Sequence, residues 1–176
     1  MRYTLEVMSV TDPQIPVSRP LAGPPKELLE STTFLLKRLG FAAKEHTHEA
    51  FEGSGLNAFH FAVLSLLEED PRETQAVIAD ALGYDRGQMV RLLDELEERD
   101  LVVRKRDPDD RRRHVVKLTA EGRKTLGRLR TIVRKLEDEF LAPLDPGERV
   151  ALHTLLLRLM SERDPRCALL GPTTPV

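Results

Sequence analysis

The chain has 176 residues, enough for one domain with a single buried core, with or without appendages. Its 40% hydrophobic and 32% charged residues are typical of a globular protein, and no apolar run is long enough to cross a bilayer. The formal net charge is only −2, so any binding of nucleic acid must use a local basic surface. The single cysteine, Cys167, cannot form a disulfide within the chain, and we expect a cytoplasmic protein.

The N-terminal part of the chain changes character at Lys26. Residues 1–25 contain five prolines and no sustained helical pattern, which predicts an extended arm. From Lys26, leucines recur at helical spacing and predict one helix that runs to about Phe51, where Gly53-Ser54-Gly55 ends it. A second helix is predicted over residues 57–69, because an Asp-Pro pair follows and proline removes a backbone donor.

Residues 74–98 contain two short helical patterns joined by a glycine. The first is expected to end at Gly83, because glycine readily adopts the left-handed conformation that terminates helices. The second begins after Asp85, an N-cap with Gln88 as its capping-box partner. Its apolar stripe consists of Met89, Leu92, Leu93 and Leu96. Two short helices joined by a tight turn form the unit whose second helix enters the major groove of DNA.

A basic hairpin is predicted directly after this helix pair. Valine-rich runs flank residues 104–113, which hold six basic side chains. The segment Asp107-Pro108-Asp109-Asp110 between them has the composition of a turn. The order helix, turn, helix, hairpin indicates a winged helix, and its basic tip indicates a polyanionic partner, most commonly DNA.

Two further helices are predicted at the C-terminal end. Thr119 is expected to cap the first of them, and Pro143 and Pro146 to end it. Its apolar seam alternates spacings of three and four, as in helices that pack on other helices: Leu126, Leu129, Val133, Leu136 and Phe140. A last helix over about residues 147–162 carries Leu155 and Leu159, and residues 163–176 are predicted to be an irregular tail.

Residues 74–122 resemble the MarR family of bacterial transcriptional regulators. The resemblance rests on Thr74-Gln75, on the run RLLDEL that begins at Arg91, and most specifically on the wing motif DPDDRR that begins at Asp107. It continues through Leu118-Thr119 and Glu121-Gly122, and the flanking helices match the family in length and apolar pattern. It implies a homodimer that binds double-stranded DNA at a pseudo-palindromic operator, represses or activates nearby genes, with repression favoured, and is often released by a small aromatic or anionic ligand. Neither an enzyme activity nor a cofactor is expected, since no phosphate-binding loop or pair of catalytic carboxylates stands out.

The family layout implies a mainly α fold, a winged helix-turn-helix with a small β-hairpin wing, flanked by N- and C-terminal helices that dimerise. The parts are an arm (1–25), a dimerisation region (26–55 and 120–162), a DNA-binding lobe (56–119) and a tail (163–176). The seam residues could equally form the chain's own core, as most apolar stripes do. With the family included, intersubunit burial of this seam and of Leu155 and Leu159 is the favoured interpretation.

The second helix of the pair should carry the contacts to bases. Arg86, Gln88 and Arg91 fall away from its apolar stripe, and arginine and glutamine recognise guanine and adenine in the major groove. Contact with phosphates, or pairing with nearby acids, is the alternative and is about as probable for Arg91. Thr74 and Gln75 open the preceding helix, where they either cap it or help to bind a phosphate.

The resemblance assigns roles to the wing and also shows two departures from the family pattern. Arg112 corresponds to the arginine that enters the minor groove, and Asp110 is expected to hold it. Arg111 and Arg113 are expected to lie near phosphates or face solvent. Asp100 stands where the family usually has glycine, so its backbone is expected at positive φ. Gly87 stands where serine or threonine is common, which removes a possible DNA contact.

A ligand site is expected where the resemblance places one, between the first two helices, the long helix and the DNA-binding lobe. An arginine would bind an anion there and aromatic rings would pack on a ring: Arg38, Phe41, Phe59 and His60. The phenylalanines are more often plain core residues. His60 could equally be a hydrogen-bonded histidine within the packing.

Other functions fit these residues less well. His48-Glu49-Ala50-Phe51-Glu52 begins like a zinc-protease motif but lacks the second histidine, so no metal site is expected, although a metal- or redox-responsive regulator stays open. Gly53-Ser54-Gly55 lacks the frame of a serine hydrolase. A winged helix that contacts proteins rather than DNA stays open because of Gly87 and the acids of residues 94–100.

Overall fold

A computed structural model describes residues 23–69, 74–107, 114–164 and 166. The chain divides into two compact units, residues 1–39 and 40–176. Helix α1 (Lys26–Leu29) lies in the first unit, and helix α2 (Thr32–Phe51) begins there. The prediction of a single helix from Lys26 is wrong, because the helix ends at Leu29 and a new one begins at Thr32. Ser31 causes a new start, since its Oγ accepts a hydrogen bond from the Phe34 N–H at 3.3 Å.

The second unit contains the predicted winged helix-turn-helix. Its elements after α2 are α3 (Ala58–Glu69), α4 (Gln75–Leu82), α5 (Arg86–Glu98), β1 (Val102–Arg106), β2 (His114–Leu118), α6 (Ala120–Phe140) and α7 (Pro146–Arg163). The two strands form one antiparallel sheet in which Val102 pairs with Leu118 and Arg106 with His114. A mainly helical fold with a hairpin after the helix pair is therefore confirmed.

Local signals in the sequence fix the ends of the helix pair. Thr74 caps α4 by accepting a hydrogen bond from the Val77 N–H at 3.4 Å, and Gly83 ends that helix in the left-handed conformation, at φ 68°. The Asp85 carboxylate caps α5 as predicted, but the Gln88 side chain accepts no hydrogen bond from the Asp85 N–H in the described part of the chain, so the predicted capping box is not formed. At the other end of α5, Asp100 has φ 56°, which confirms that an aspartate makes the left-handed exit.

The core of the second unit lies between the helix pair, the hairpin and α6. The whole apolar stripe of α5 is buried in it, together with Val63, Leu64 and Leu67 of α3, Ile78 of α4, and Val102 and Val116 of the hairpin. Leu126 and Leu129 of α6 are fully buried in the same core. Assigning these two leucines to a dimer interface is therefore wrong, because they have no surface left for a partner; Val133, Leu136 and Phe140 further along α6 are only half-buried.

The start of α6 is held against the exit of α5. Thr119 accepts a hydrogen bond from the Gly122 N–H at 2.9 Å, and its own hydroxyl donates to the Asp100 carbonyl at 2.6 Å. Gly122 packs so closely that a Cβ there would lie 2.0 Å from the Leu101 carbonyl oxygen. A glycine at this position is what lets α6 approach the base of the wing.

Helix α7 begins one residue earlier than predicted. Pro146 was expected to break a helix, but it occupies the first turn of α7, where a missing N–H costs nothing. Asp145 and Glu148 form a complete capping box around it. None of the 18 residues of α7 is buried. No helix in the described part of the chain is long and apolar enough to cross a membrane.

Candidate nucleic-acid interface

The outward face of α5 is free for a partner because the opposite face is buried in the core. Arg86, Gly87 and Arg91 are exposed on it, and Gln88 is half-buried. Among the residues that the structure describes, Arg86 and Arg91 pair with no carboxylate, so the alternative in which Arg91 pairs with Asp94 or Glu95 is not observed there.

Val90 lies on the same outward face and was not singled out from the sequence. Its side chain is 39% exposed although it is a large apolar residue. The signal that could have found it is its spacing: Val90 follows Arg86 by four residues, so both share one helical face while the stripe of leucines takes the other. The outward face therefore combines cationic, amide and apolar groups.

The first turn of α5 is closed by its own N-cap. The Asp85 carboxylate accepts hydrogen bonds from the Gly87 N–H at 2.8 Å and the Gln88 N–H at 3.1 Å. A Cβ at position 87 would lie 3.0 Å from the same carboxylate oxygen. Glycine at this position thus gives the capping carboxylate room, at the expense of a side chain that could contact DNA.

Arg104 of β1 ties the wing to the recognition helix α5. Its guanidinium donates to the Asp94 carboxylate at 2.6 Å and to Glu97, and its backbone N–H donates to the other Glu97 oxygen at 3.0 Å. These hydrogen bonds from Arg104 hold the pKa of Glu97 below its ordinary value. We call Arg104, Asp94 and Glu97 the wing brace. Sequence reasoning missed it, because Glu97 and Asp94 lie seven and ten residues before Arg104 and on a different element.

The wing brace involves two of the acidic residues at the C-terminal end of α5. Asp94 and Glu97 are engaged by Arg104, and Glu95 lies 3.0 Å from His60. Asp94 and Glu97 therefore serve a contact within the chain, whereas Glu98 and Asp100 are exposed. Only part of the acidic charge of residues 94–100 is thus engaged within the chain.

The tip of the wing lies outside the described residues, and with it Asp110, Arg111, Arg112 and Arg113. The two strands that carry the tip are described, and Lys105, Arg106 and His114 are exposed on them. Thr74 and Gln75 are half-buried at the start of α4. The capping role of Thr74 is observed, and phosphate contact by this pair stays a prediction.

A cavity of about 540 Å³ lies between the end of α2, the start of α3 and α5. Phe59 and His60 line it, together with Lys44, Thr47, His48, Phe51, Glu52, Gly55, Leu56, Asn57, Ala58 and Glu95. Phe41 is not among the lining residues and is 54% exposed. Arg38 is an exposed residue of the first unit. The structure thus brings together two of the four residues predicted for a ligand site.

The histidines do not form a metal centre in the described part of the chain, where no cluster of three or more ligating side chains occurs. His46 packs edge-on against the ring of Phe140, with centroids 5.5 Å apart. His48 lines the cavity instead. The two histidines thus have different surroundings, as their spacing of two residues on a helix requires.

Comparison with known proteins agrees with this geometry. The model of the MarR family matches residues 54–113. The transcriptional repressor NicR of Pseudomonas putida is 30% identical over 153 residues, which cover 85% of this chain and 94% of NicR. This chain belongs to the MarR family.

Further relatives extend the comparison. A transcriptional regulatory protein assigned to the hcr operon of Thauera aromatica is 34% identical over 99 residues, which are 56% of this chain and 60% of that protein's length. The solved structure of the repressor CouR bound to a 23-mer DNA duplex has 37% identity and a TM-score of 0.70, covering 76% of this chain and 95% of CouR. CouR from Rhodococcus jostii RHA1 bound to p-coumaroyl-CoA has 31% identity and a TM-score of 0.68, covering 78% and 95%.

Proposed function

We propose that this MarR-family chain is a dimeric, sequence-specific repressor that binds a pseudo-palindromic DNA operator. One observation carries the proposal: α5 presents unpaired arginines on an exposed face while its opposite face completes a core and its acids brace the wing. The DNA complex of the similar repressor CouR supports it. The chain then acts in the cytoplasm by binding rather than by catalysis.

The base contacts follow from the side chains on the outward face of α5. Arg86 can donate two hydrogen bonds to guanine, and Gln88 can pair with adenine in the same groove. Arg91, one turn further along, contacts a base or a phosphate. Val90 between them packs on the methyl group of a thymine, the apolar feature of the major groove.

The wing supplies the second contact. Arg112 enters the adjacent minor groove, where narrow A·T-rich segments concentrate negative potential, and Asp110 holds its guanidinium. Arg111 and Arg113 neutralise phosphates, and so does the start of α4 at Thr74 and Gln75. The brace supports this assignment, because it fixes the hairpin relative to α5 before DNA is bound.

Dimerisation is supported by apolar surface that one chain leaves uncovered. Leu155 and Leu159 of α7 are 50% and 51% exposed, and Leu156 and Met160 are exposed beside them. In the first unit the exposed apolar residues are Leu28, Leu29, Leu35, Leu36 and Leu39. A second copy covers these surfaces, since a soluble monomer rarely exposes so many large apolar side chains. Val133, Leu136 and Phe140 are half-buried and belong to the same proposal.

A small effector that weakens DNA binding occupies the cavity lined by Phe59 and His60. Its volume of about 540 Å³ lies within the range of sites for small molecules. The complex of CouR with p-coumaroyl-CoA supports an effector for this chain too. Participation of Arg38 and Phe41 stays a prediction.

A titration with DNA tests the proposal. Fluorescence anisotropy is measured with a DNA duplex that has the sequence upstream of this protein's gene. Binding should be tight at physiological salt, even in the presence of excess competitor DNA. Log affinity should fall linearly with log salt, because each neutralised phosphate releases counterions. Arg112→Ala should weaken binding about tenfold or more while the protein stays folded and dimeric.

The matched control is Arg134→Ala, which removes the same charge from an exposed position in the middle of α6. It should leave the affinity unchanged. Equal affinity of the Arg112→Ala variant and the unaltered protein at moderate salt would show that the wing does not bind DNA.

A further inference from the structure

The polar floor of the cavity is built around His60, which is 2% exposed. The Asn57 N–H donates to His60 Nδ1 at 3.2 Å, and the His60 N–H donates to Asn57 Oδ1 at 3.1 Å. This is a reciprocal capping box at the start of α3 in which histidine takes the place of the usual glutamate or glutamine. Because Nδ1 accepts, the proton of the neutral imidazole is on Nε2.

The Nε2–H of His60 is a buried donor without an aligned acceptor. It lies 3.0 Å from Oε2 of Glu95, yet the direction of the N–H bond does not point at that oxygen, so Nε2 has no hydrogen bond among the described residues. Buried donors of this kind are rare in native proteins and often mark a place for a water or a ligand. The floor therefore offers one donor and, beside it, one carboxylate acceptor.

Burial favours the neutral form of the His60 imidazole. It lowers the pKa of His60 below its ordinary value against the opposing charge of Glu95, and the positive charge of Arg99, the C-cap of α5, acts in the same direction as burial. The titratable groups that α2 and its 3₁₀ extension contribute to the cavity are Lys44, His48 and Glu52, all exposed. The neutral imidazole thus keeps its donor on Nε2 beside the carboxylate of Glu95.

The remaining lining combines apolar and charged groups. Phe51, Leu56 and Phe59 are apolar residues that suit a flat ring. Among the polar lining residues His60 is buried, whereas Lys44 and Glu95 are exposed. A ligand with a ring and two polar ends could therefore place one of them, its inner end, against His60 and Glu95 and the other against the ammonium group of Lys44.

We propose that this cavity binds a ring compound whose inner end is a neutral group that both accepts and donates hydrogen bonds, such as a primary amide, a lactam or a hydroxyl. This inference rests on the proposed function and specifies its effector. The inner group accepts from His60 Nε2–H and donates to the Glu95 carboxylate. A carboxylate cannot take this place, because it would face the charge of Glu95, and it is directed to Lys44 instead.

The same contact explains how the effector would reach the DNA-binding face. Glu95 belongs to α5, and its neighbour Asp94 is part of the wing brace. A ligand that binds Glu95 therefore acts directly on the recognition helix. DNA affinity should fall when the inner group is bound.

Isothermal titration calorimetry of the full chain with two matched probes tests the inference. The probes are 4-carbamoylbenzoate, with one amide and one carboxylate, and terephthalate, with a carboxylate at each end. We expect the amide to bind at least about tenfold tighter, equivalent to roughly 1.4 kcal/mol. In Glu95→Gln the repulsion is gone, so terephthalate should bind more tightly and the preference should shrink to about twofold or less.

Glu98→Gln is the matched control, because Glu98 is on the same helix, is exposed and does not line the cavity. It should keep the tenfold preference. Equal or tighter binding of terephthalate by the unaltered chain, or no binding of either probe at millimolar concentration, would overturn the inference.

DNA affinity measured on the same samples separates this inference from the proposed function. Preference for the amide in a chain that binds no DNA would refute the repressor and leave the ligand assignment standing. DNA binding without preference for the amide would do the reverse.

Discussion

Helices α5 and α7 both contain leucines and charged residues, yet the chain buries the leucines of α5 and leaves those of α7 exposed. Every large residue of the α5 stripe is buried, from Met89 to Leu96, and its charged residues face outward or brace the wing. Helix α7 is longer, carries more leucines, and buries none of its residues. The winged-helix lobe therefore completes its core within one chain, whereas the leucines of α7 stay available for a contact with something else.

The contrast assigns the two helices to different steps of one function. A helix whose buried face is satisfied can present its other face to DNA without changing shape. A helix whose apolar residues are exposed supplies the free energy of association between two copies. A substitution that removes DNA contact by α5 should therefore leave dimerisation measurable, and a substitution that removes the dimer contact of α7 should leave a folded winged-helix lobe whose DNA affinity can be measured.

The largest effect is expected from the pair Leu155→Glu and Leu159→Glu on α7. Two charges in place of two exposed leucines should abolish the dimer, since an interface cannot bury unpaired carboxylates. Because the two half-sites are then no longer linked, DNA affinity should fall by about a hundredfold or more. Light scattering after gel filtration measures the mass. Val77→Glu on α4 replaces another exposed apolar residue by an acid and should stay dimeric; a dimeric double variant would refute the role given to α7.

Gly122→Ala should test how closely α6 packs at the base of the wing. The added Cβ would lie 2.0 Å from the Leu101 carbonyl, so backbone must move and stability should drop by about 1–3 kcal/mol. Gly127→Ala on the same helix meets no atom within 4 Å and should stabilise the protein by up to about 1 kcal/mol. Urea denaturation followed by circular dichroism compares them. The packing argument fails if both variants shift stability in the same direction.

Arg104→Gln should uncouple the wing from α5. The substitution removes the two hydrogen bonds of the guanidinium, one to each acid, while the backbone N–H of residue 104 still donates to Glu97. Both carboxylates then lose their cationic partner near DNA, so affinity should fall about tenfold, or roughly 1.4 kcal/mol. Lys105→Gln removes the same charge from the exposed neighbour on β1. Lys105→Gln should lower the DNA affinity only by the contribution of one surface charge. Equal losses in the two variants, measured by anisotropy, would mean that charge rather than bracing matters.

A smaller effect is expected at Val90. Replacing the operator thymine that it contacts by uracil removes one methyl group and should weaken binding a few-fold, or roughly 0.5–1 kcal/mol. The Val90→Ala variant should bind the thymine and uracil operators almost equally. If no thymine-to-uracil replacement in the half-site lowers the DNA affinity of the unaltered protein, Val90 does not contact a thymine methyl group.

The smallest effect is a pH dependence in the acid range. The pKa of Glu97 is lowered in the folded chain, so its contribution to stability is present above its ordinary value of 4.5 and is lost as the pH falls from there through the lowered value. The largest cause of this shift is the hydrogen bond from the backbone N–H of Arg104, and the guanidinium adds to it. Arg104→Gln removes only the contribution of the guanidinium and should make this part of the stability profile shallower between about pH 5 and 3. Thermal unfolding at several pH values measures it, and an unchanged profile in the variant would contradict a contribution of the guanidinium to the shift.

The sequence predicted those features that short-range chemistry decides. Thr74, Asp85 and Thr119 cap helices because each side chain bonds amides two or three residues away. Asp100 adopts the positive φ expected from its place after α5. The break at Ser31 and the role of Pro146 at a helix start were missed, since serine and proline serve equally in turns and in first turns of helices.

The sequence could not predict what depends on distant partners. The seam of α6 has one period throughout, so nothing in it distinguishes Leu126, buried in its own core, from Phe140, which is half-buried. The wing brace joins residues on two elements. Which ring nitrogen of His60 carries the proton follows only from its hydrogen bond with Asn57. A pattern reveals which face of a helix is apolar but not what covers it.

Hydroxyl-radical footprinting of the dimer on its operator tests the central claim most directly. Two copies that each insert α5 into a major groove should protect two half-sites on one face of the duplex, with centres about one helical turn, ~10 bp, apart. Protection should vanish together with the dimer in the Leu155→Glu, Leu159→Glu variant. A single protected half-site that is unchanged in this variant would contradict the account.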